Sequence, residues 1–411
     1  MTRLRRLLCA LAVVLSVFAW AIPARAGSLL QSEGLGRWVE GYDLAARGAG
    51  WTAIGVTDPF ATSTVNPASL VWSRRPRLGA SFLTENLWMK ADGSSTDRVG
   101  STRIPGIQVV VPGPRSLRWG VGFRDLTDGR YSVTGIVNPG RGDEYERTLT
   151  GSGGLGELSA TLGVLLPGER VGVAVRGGIV SGTIREEFRR RFTSGVYDDS
   201  KDLLRTRMEN ARPISLGAQA KVHDRLSVGL AYDVPATLDL ESLLRTTTDE
   251  RIRDTAHFDL PGAFGGGLAI RALPRMQLSV DVIRRFWSQS DFSTATGDGN
   301  GSFTHLNDTT RFGIGITRLG DPEETVRDAL GRRARWRAGF TYGTLPVSGN
   351  GETVSEWALT GGVGLPIQFD RGFIDGLIEF GKRGDAATTG LSESYLRIGF
   401  GATFQTLRSA F

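Results

Sequence analysis

From about Pro76 to its end the chain is a train of short segments in which every second residue is apolar. In Leu117–Phe123, Leu117, Trp119, Val121 and Phe123 share one face, and Arg118, Gly120 and Gly122 share the other. Leu158–Leu166 sets Leu158, Ala160, Leu162, Val164 and Leu166 against Ser159, Thr161 and Gly163, and Val171, Val173 and Val175 oppose Arg170, Gly172, Ala174 and Arg176. Ile214–Val222, Leu226–Val234, Phe264–Ile270, Met276–Val282, Phe312–Ile316 and Trp336–Tyr342 behave alike, as do Leu396, Ile398, Phe400, Ala402 and Phe404 against Arg397, Gly399, Gly401 and Thr403. A period of two is that of a β-strand between two different surroundings. A soluble sandwich would expose a strongly charged second face, whereas here that face is mainly small, which suits a lumen. In lipid every backbone group must be paired within the protein, so strands can span only as a closed barrel. The expectation is an all-β fold, a transmembrane antiparallel β-barrel of about 14 strands. The alternative on pattern alone is a periplasmic β-sandwich or propeller.

The connections alternate in length, as such barrels require. Pro112–Ser116, Pro167–Glu169, His223–Arg225, Leu273–Arg275 and Pro366–Arg371 are short and belong on the periplasmic side. Asp128–Glu144, Glu186–Leu204, Asp239–Phe258 and Ser288–Asp308 are long, polar and read as outer loops. Leu319–Ala334 breaks the rule: it is periplasmic by parity yet long, and reads as a short charged helix. Trp119, Trp287, Trp336 and Trp357 fall near strand ends, as aromatic girdles do.

The front of the chain is different. Arg3, Arg5 and Arg6 precede the apolar run Leu7–Ile22, and Ala24-Arg25-Ala26 is a small-x-small site, so residues 1–26 read as a cleaved secretory signal. The run of about 16 apolar residues is short for a spanning helix, which needs about 20. Cys9, the one cysteine, lies inside this leader, so the mature chain is expected to carry neither disulfides nor thiolate chemistry. Of 49 basic residues four are in the leader, which leaves 45 against 43 acidic ones. That near balance argues against nucleic acid as a partner.

Residues 27–74 read as an N-terminal arm and a plug in the lumen, and 75–411 as the barrel. The stretch Tyr42–Leu70 is rich in Gly, Ala and Thr and too small-sided at Ala45–Gly50 and Thr52–Val56 to build its own core. Asp58-Pro59 and Asn66-Pro67-Ala68 are turn or helix-start signals, with Ala68–Trp72 one helical turn into the wall.

The run Arg47-Gly48-Ala49-Gly50, Asp58 and Asn66-Pro67-Ala68, opening a long β-chain behind a leader, resembles the hatch of the FadL-type outer-membrane transporters of long-chain fatty acids and other hydrophobic compounds. Asp259-Leu260-Pro261, Met276–Trp287 with Ser288-Gln289, and Arg335–Tyr342 with Leu345-Pro346-Val347 are similar to the family's late-barrel pattern. At the position after Gly48 where the family usually has Met and a second Gly, this chain has Ala49-Gly50-Trp51. The resemblance implies a 14-stranded barrel with a lumenal hatch, whose shift releases an apolar ligand bound near the outer end. Arg47, Gly48, Gly50, Asp58, Asn66, Pro67 and Ala68 would be the gate. The implied partners are a hydrophobic small molecule, outer-membrane lipid and lipopolysaccharide, and the barrel-assembly machinery, for a monomer in the outer membrane. Glu379–Gly384 and Glu393–Phe400 also resemble non-transport barrels that serve secretion or surface assembly, which is the rival reading.

Other motifs weigh less. Gly151–Gly156 matches G-x-G-x-x-G but opens no helix, and Asp298–Ser302 lacks the Gly and Glu of a calcium loop. His223, His257 and His305 have no metal spacing, and no Ser and acid can be matched to them as a hydrolase. No catalytic, cofactor or metal residue is therefore expected. Arg189-Arg190-Arg191 falls in a predicted outer loop, solvated or touching anionic lipopolysaccharide.

Overall fold

The computed structural model describes residues 35–91, 97–114, 116–138, 144–192, 197–248, 250–290, 292–294, 306–320, 330–367 and 371–406. Residues 1–26, read above as a leader, with Cys9 among them, and Asp298–Ser302 and His305 lie outside them. Fourteen strands form the wall: β1 (Arg77–Ala91), β2 (Asp97–Pro112), β3 (Leu117–Asp125), β4 (Tyr145–Leu165), β5 (Val171–Phe192), β6 (Ile214–His223), β7 (Leu226–Asp233), β8 (Ala263–Leu273), β9 (Met276–Arg285), β10 (Thr309–Arg318), β11 (Arg335–Gly349), β12 (Glu352–Ile367), β13 (Gly372–Arg383) and β14 (Leu391–Gln405). Each pairs antiparallel with the next, and β14 pairs back onto β1 with Leu78 opposite Phe404 and Phe82 opposite Phe400. The sheet is a closed antiparallel barrel, so the wall has no free edge.

Its two faces are inverted relative to a soluble protein. Phe82, Val121, Leu158, Ile179, Leu230, Phe264, Ile314, Leu359 and Ile378 point outward and are exposed. The alternate residues point inward and are buried, among them Glu85, Glu157, Arg176, Asp281, Glu356, Glu379, Arg383 and Arg397. Exposed apolar surface on this scale is stable only against lipid. No helix among the described residues is long and apolar enough to cross a membrane.

The short links are tight. Two-residue turns join His223 to Leu226 and Leu273 to Met276. At the other end three of the four expected long loops contain strand, and most of Ser288–Asp308 lies outside the described residues. Asp128–Glu144 contains Tyr131–Val137, paired with β4. β4 and β5 continue past the wall to pair Tyr145 with Phe192, and Ser200–Ala211 extends β5. Asp239–Phe258 belongs to the hairpin Ala236–Arg245/Arg251–Leu260. Polar residues on both faces conceal these strands, because water rather than lipid or core surrounds much of them. Arg189–Arg191 accordingly sits on β5 and not in a loop. In Leu319–Ala334 the described part ends in the helix Leu330–Arg333.

Trp119 and Trp336 lie outward near the short-turn end, as girdle residues should. Trp287 does not. It is buried in the mouth, edge-on to Trp38 with ring centroids 5.6 Å apart.

Candidate functional site

Residues 35–72 run inside the barrel from the loop end toward the turn end. Arg37–Trp38 pairs with Thr127–Asp128 at the mouth. Asp43 then caps the helix Leu44–Gly48, its Oδ1 accepting from the Ala46 N–H at 2.8 Å. The small residues that could not build a core alone are pressed against the wall. Gly50 has φ +69°, and a Cβ there would overlap the Ile314 carbonyl. Opposite it Gly313, Gly315 and Gly339 leave room for the backbone of Ala49–Trp51. Glycine in a strand marks such a close approach, and this accounts for part of the high glycine content, 56 of 411 residues.

All seven residues singled out from the sequence lie at this boundary. Arg47 is fully buried, 3.3 Å from Glu379 of β13. The Gly48 carbonyl accepts from the Thr360 hydroxyl at 3.1 Å, and the Thr360 hydroxyl oxygen in turn accepts from the Gly50 N–H at 3.0 Å. Asp58 holds Arg335 at the base of β11 at 2.7 Å. Asn66 donates to the Ile54 and Ala218 carbonyls and accepts from the Ala68 N–H, capping a 3-10 helix over Pro67–Trp72. The expected turn at Ala68–Trp72 is this element. Pro67 and Ala68 pack on Gly217, where any Cβ would collide with them.

The wall answers with residues that the period-two reading treated only as an inward face. Asp281 accepts from the Ala53 and Ile54 N–H groups at 2.7 and 2.8 Å, and Gln219 donates to the Ile54 carbonyl at 2.8 Å. Above them lies a buried ionic lattice. Arg397 bonds both Glu85 and Glu379, and Arg383 reaches Glu356 at 2.8 Å and Glu393 at 3.2 Å. Arg37 meets Glu85 at 3.2 Å and Arg311 meets Glu356 at 3.0 Å. The guanidinium carbons of Arg383 and Arg397 lie 4.3 and 4.0 Å from the Tyr395 ring centroid. Desolvating so many charges is costly, and only mutual pairing makes it tolerable. The one sequence signal for this lattice is a charge in phase with the inward positions of strands whose outward positions are apolar, as at Glu379 and Arg397.

Trp51 joins lattice and inner segment. Its indole N–H donates to Glu379 at 3.1 Å, and Arg47 and Arg311 lie 4.2 and 4.5 Å from its ring centroid. Its φ of +61° is unusual for a bulky residue and marks stored backbone strain.

The inner segment and lattice separate two open cavities. The one at the loop end is walled by Leu35, Trp38, Phe258, Ile283, Trp287 and Leu345, with Arg311, Glu356 and Trp51 at its floor. The one at the turn end is lined by Ala46, Ala49, Val56, Phe60, Arg271 and Arg275 among others. His223 sits at a turn, and His257 bonds Asp239 at 2.8 Å on an exposed sheet face. Among the described residues no group of three His, Cys, Asp or Glu side chains is placed to hold a metal.

A family model described as BamG matches residues 5–406. The chain belongs to the BamG family. No curated protein matches it. Among solved structures this BamG-family barrel is similar to the toluene transporter TbuX of Ralstonia pickettii, at 14% identity and TM-score 0.59, covering 89% of this chain and 98% of that one. A FadL homologue of Pseudomonas aeruginosa aligns at 13% identity and TM-score 0.60, over 90% and 99% of the two chains. The toluene transporter TodX of Pseudomonas putida aligns at 16% identity and TM-score 0.58, over 91% and 99%. At such identities the likeness is one of fold, a fold shared with FadL-type channels.

Proposed function

We propose that this BamG-family protein is an outer-membrane channel that passes hydrophobic small molecules passively, with residues 35–72 as its hatch. The observation that carries the reading is a cavity with apolar walls and an ion-paired floor, directly above a segment held by hydrogen bonds and by backbone-to-glycine contact. A solute would partition into the Trp38–Trp287 cavity by the hydrophobic effect. Movement of the segment around Gly50 and Trp51 would then join the two cavities. The cations at the cavity floor already have carboxylate partners, since Arg37 meets Glu85 and Arg311 meets Glu356. A neutral hydrocarbon therefore suits the cavity better than a fatty-acid carboxylate.

The test uses the Thr52 and Ser279 hydroxyls, 2.6 Å apart across the hatch–wall boundary. A T52C/S279C disulfide would tie the segment to β9. Oxidised protein in liposomes should take up labelled toluene at the background rate, and reduction should restore uptake. Equal uptake in both states would end the gating reading. The ionic lattice favours a second role, an accessory or docking barrel with a permanently closed lumen. That reading expects no uptake of any hydrophobic probe in the reduced state.

A further inference from the structure

Beyond the wall, one flank of the barrel rises as a four-stranded sheet made of β5, Ser200–Ala211, Ala236–Arg245 and Arg251–Leu260. Its inner face carries Ile184, Met208, Leu240, Ala256 and Phe258, which are buried with Leu35 and Trp287 over the mouth. Its outer face is therefore lateral. It continues the lipid-facing rows of the wall, because Val171, Val173, Val175 and Ile179 have the same parity on β5 as Arg185, Arg189 and Arg191.

The pairing registers assemble that outer face. Arg185 stands opposite Arg205, which stands opposite Leu243, which stands opposite Arg253. In neighbouring rows Arg189 faces Lys201, Arg245 faces Arg251, and Arg207 faces Glu241. Nine basic residues share the face with five acidic ones, Glu187, Glu209, Asp239, Glu241 and Asp259. Asp259 accepts from the Thr237 hydroxyl at 2.7 Å, and the other four acids pair with Arg189, Lys201, Arg207, Arg253 and His257. Arg185, Arg191, Arg205, Arg245 and Arg251 are exposed and have no acidic partner among the described residues. Arg185 is six residues past Ile179, about 20 Å along the strand, which puts the patch above the hydrocarbon at the level of the headgroups and inner sugars.

From this juxtaposition we infer that the outer face of the extension binds the phosphorylated headgroup and acidic core sugars of lipopolysaccharide. Charge complementarity identifies the class of partner. Continuity with the lipid-facing rows selects a neighbour within the leaflet over a soluble acidic protein, which would approach from above. Arginine forks suit phosphate oxygens at an interface of this kind.

The test is binding of purified lipopolysaccharide to the whole protein in detergent, read by native mass spectrometry, with enzymatically dephosphorylated lipopolysaccharide as the second probe. R185Q/R205Q/R245Q/R251Q should weaken binding by about tenfold or more, the corresponding four-lysine variant should retain most of it, and added salt should mimic the loss. Dephosphorylation should weaken wild-type binding to a similar degree. Unchanged affinity in the glutamine variant, or equal binding of both probes, would overturn the proposal. Binding of an acidic protein with no preference for lipopolysaccharide would also overturn it. None of the four arginines has a partner to lose, and resistance of the folded band to cold detergent checks that the variant folds. Toluene uptake is a separate readout, so this proposal and the channel reading can fail independently.

Discussion

Glu379 occupies a position where one carboxylate serves Arg47 and Trp51 of the inner segment and Arg397 of the wall. Glu379→Gln keeps the shape but leaves two buried guanidinium groups short of a counter-charge, at a cost of about 3–5 kcal/mol. The expected outcome is a lower denaturant midpoint, with residues 42–70 becoming open to protease before the wall is. Asp58 gives a pH dependence at the same scale. Burial opposes its charge, but Arg335 and the Phe60 N–H together hold its carboxyl below the ordinary value. Because the folded group is the more acidic, its contribution is fully present above the ordinary carboxylate pKa of about 3.9 and is lost as pH falls through the lowered value. Acid should loosen the segment at its turn end, monitored by labelling a cysteine placed at Pro59, and Asp58→Asn should abolish that dependence. Asp58-Pro59 and Asn66-Pro67-Ala68 were legible in the chain as turn and cap signals, since Asn before Pro-Ala is a local matter. Their carboxylate and amide partners were not, because Asp281 and Glu379 meet Ile54 and Arg47 across more than two hundred residues of sequence.

At the scale of elements, the inner segment is held by backbone contact with wall glycines more than by apolar packing. Gly229→Ala would drive its Cβ into the Ile54 carbonyl, and Gly50→Ala adds a collision with Ile314 to an unfavourable φ. Each should shift the segment and destabilise it by about 1–3 kcal/mol. Early thermal loss of the Trp51 fluorescence signal, with β-structure retained, would show it. The strands that rise above the membrane were the least legible elements. Alternation exposes a strand only where its two sides meet different media, and on β4 and β5 that contrast fades above Leu158 and Ile179. Gly153 and Gly154, part of the run that matched a nucleotide fingerprint, lie in β4 at φ +102° and +155° beside Thr183 and Thr127. Their function is conformational.

For the whole molecule, the outward band sets where the protein can reside. Ile314→Arg, near the middle of β10, should cost about 2–4 kcal/mol of folding into vesicles. The same substitution at an exposed residue of the rising sheet, Thr255→Arg, should cost little. Equal effects at both sites would contradict a lipid-facing wall.

The period of two determined by itself that this chain forms strands between two different surroundings, the count of alternating segments gave about fourteen of them, and the small second face with the alternating links pointed to a barrel in lipid. Glycine, alanine and proline signals marked the stretch that goes inside. These are properties of neighbours along the chain. Which carboxylate meets which arginine, how far the flank rises above the membrane, and where Trp287 points were decided only by closure of the barrel. Closure brings β14 beside β1 and the N-terminal segment against strands hundreds of residues away, and no local pattern encodes those distances.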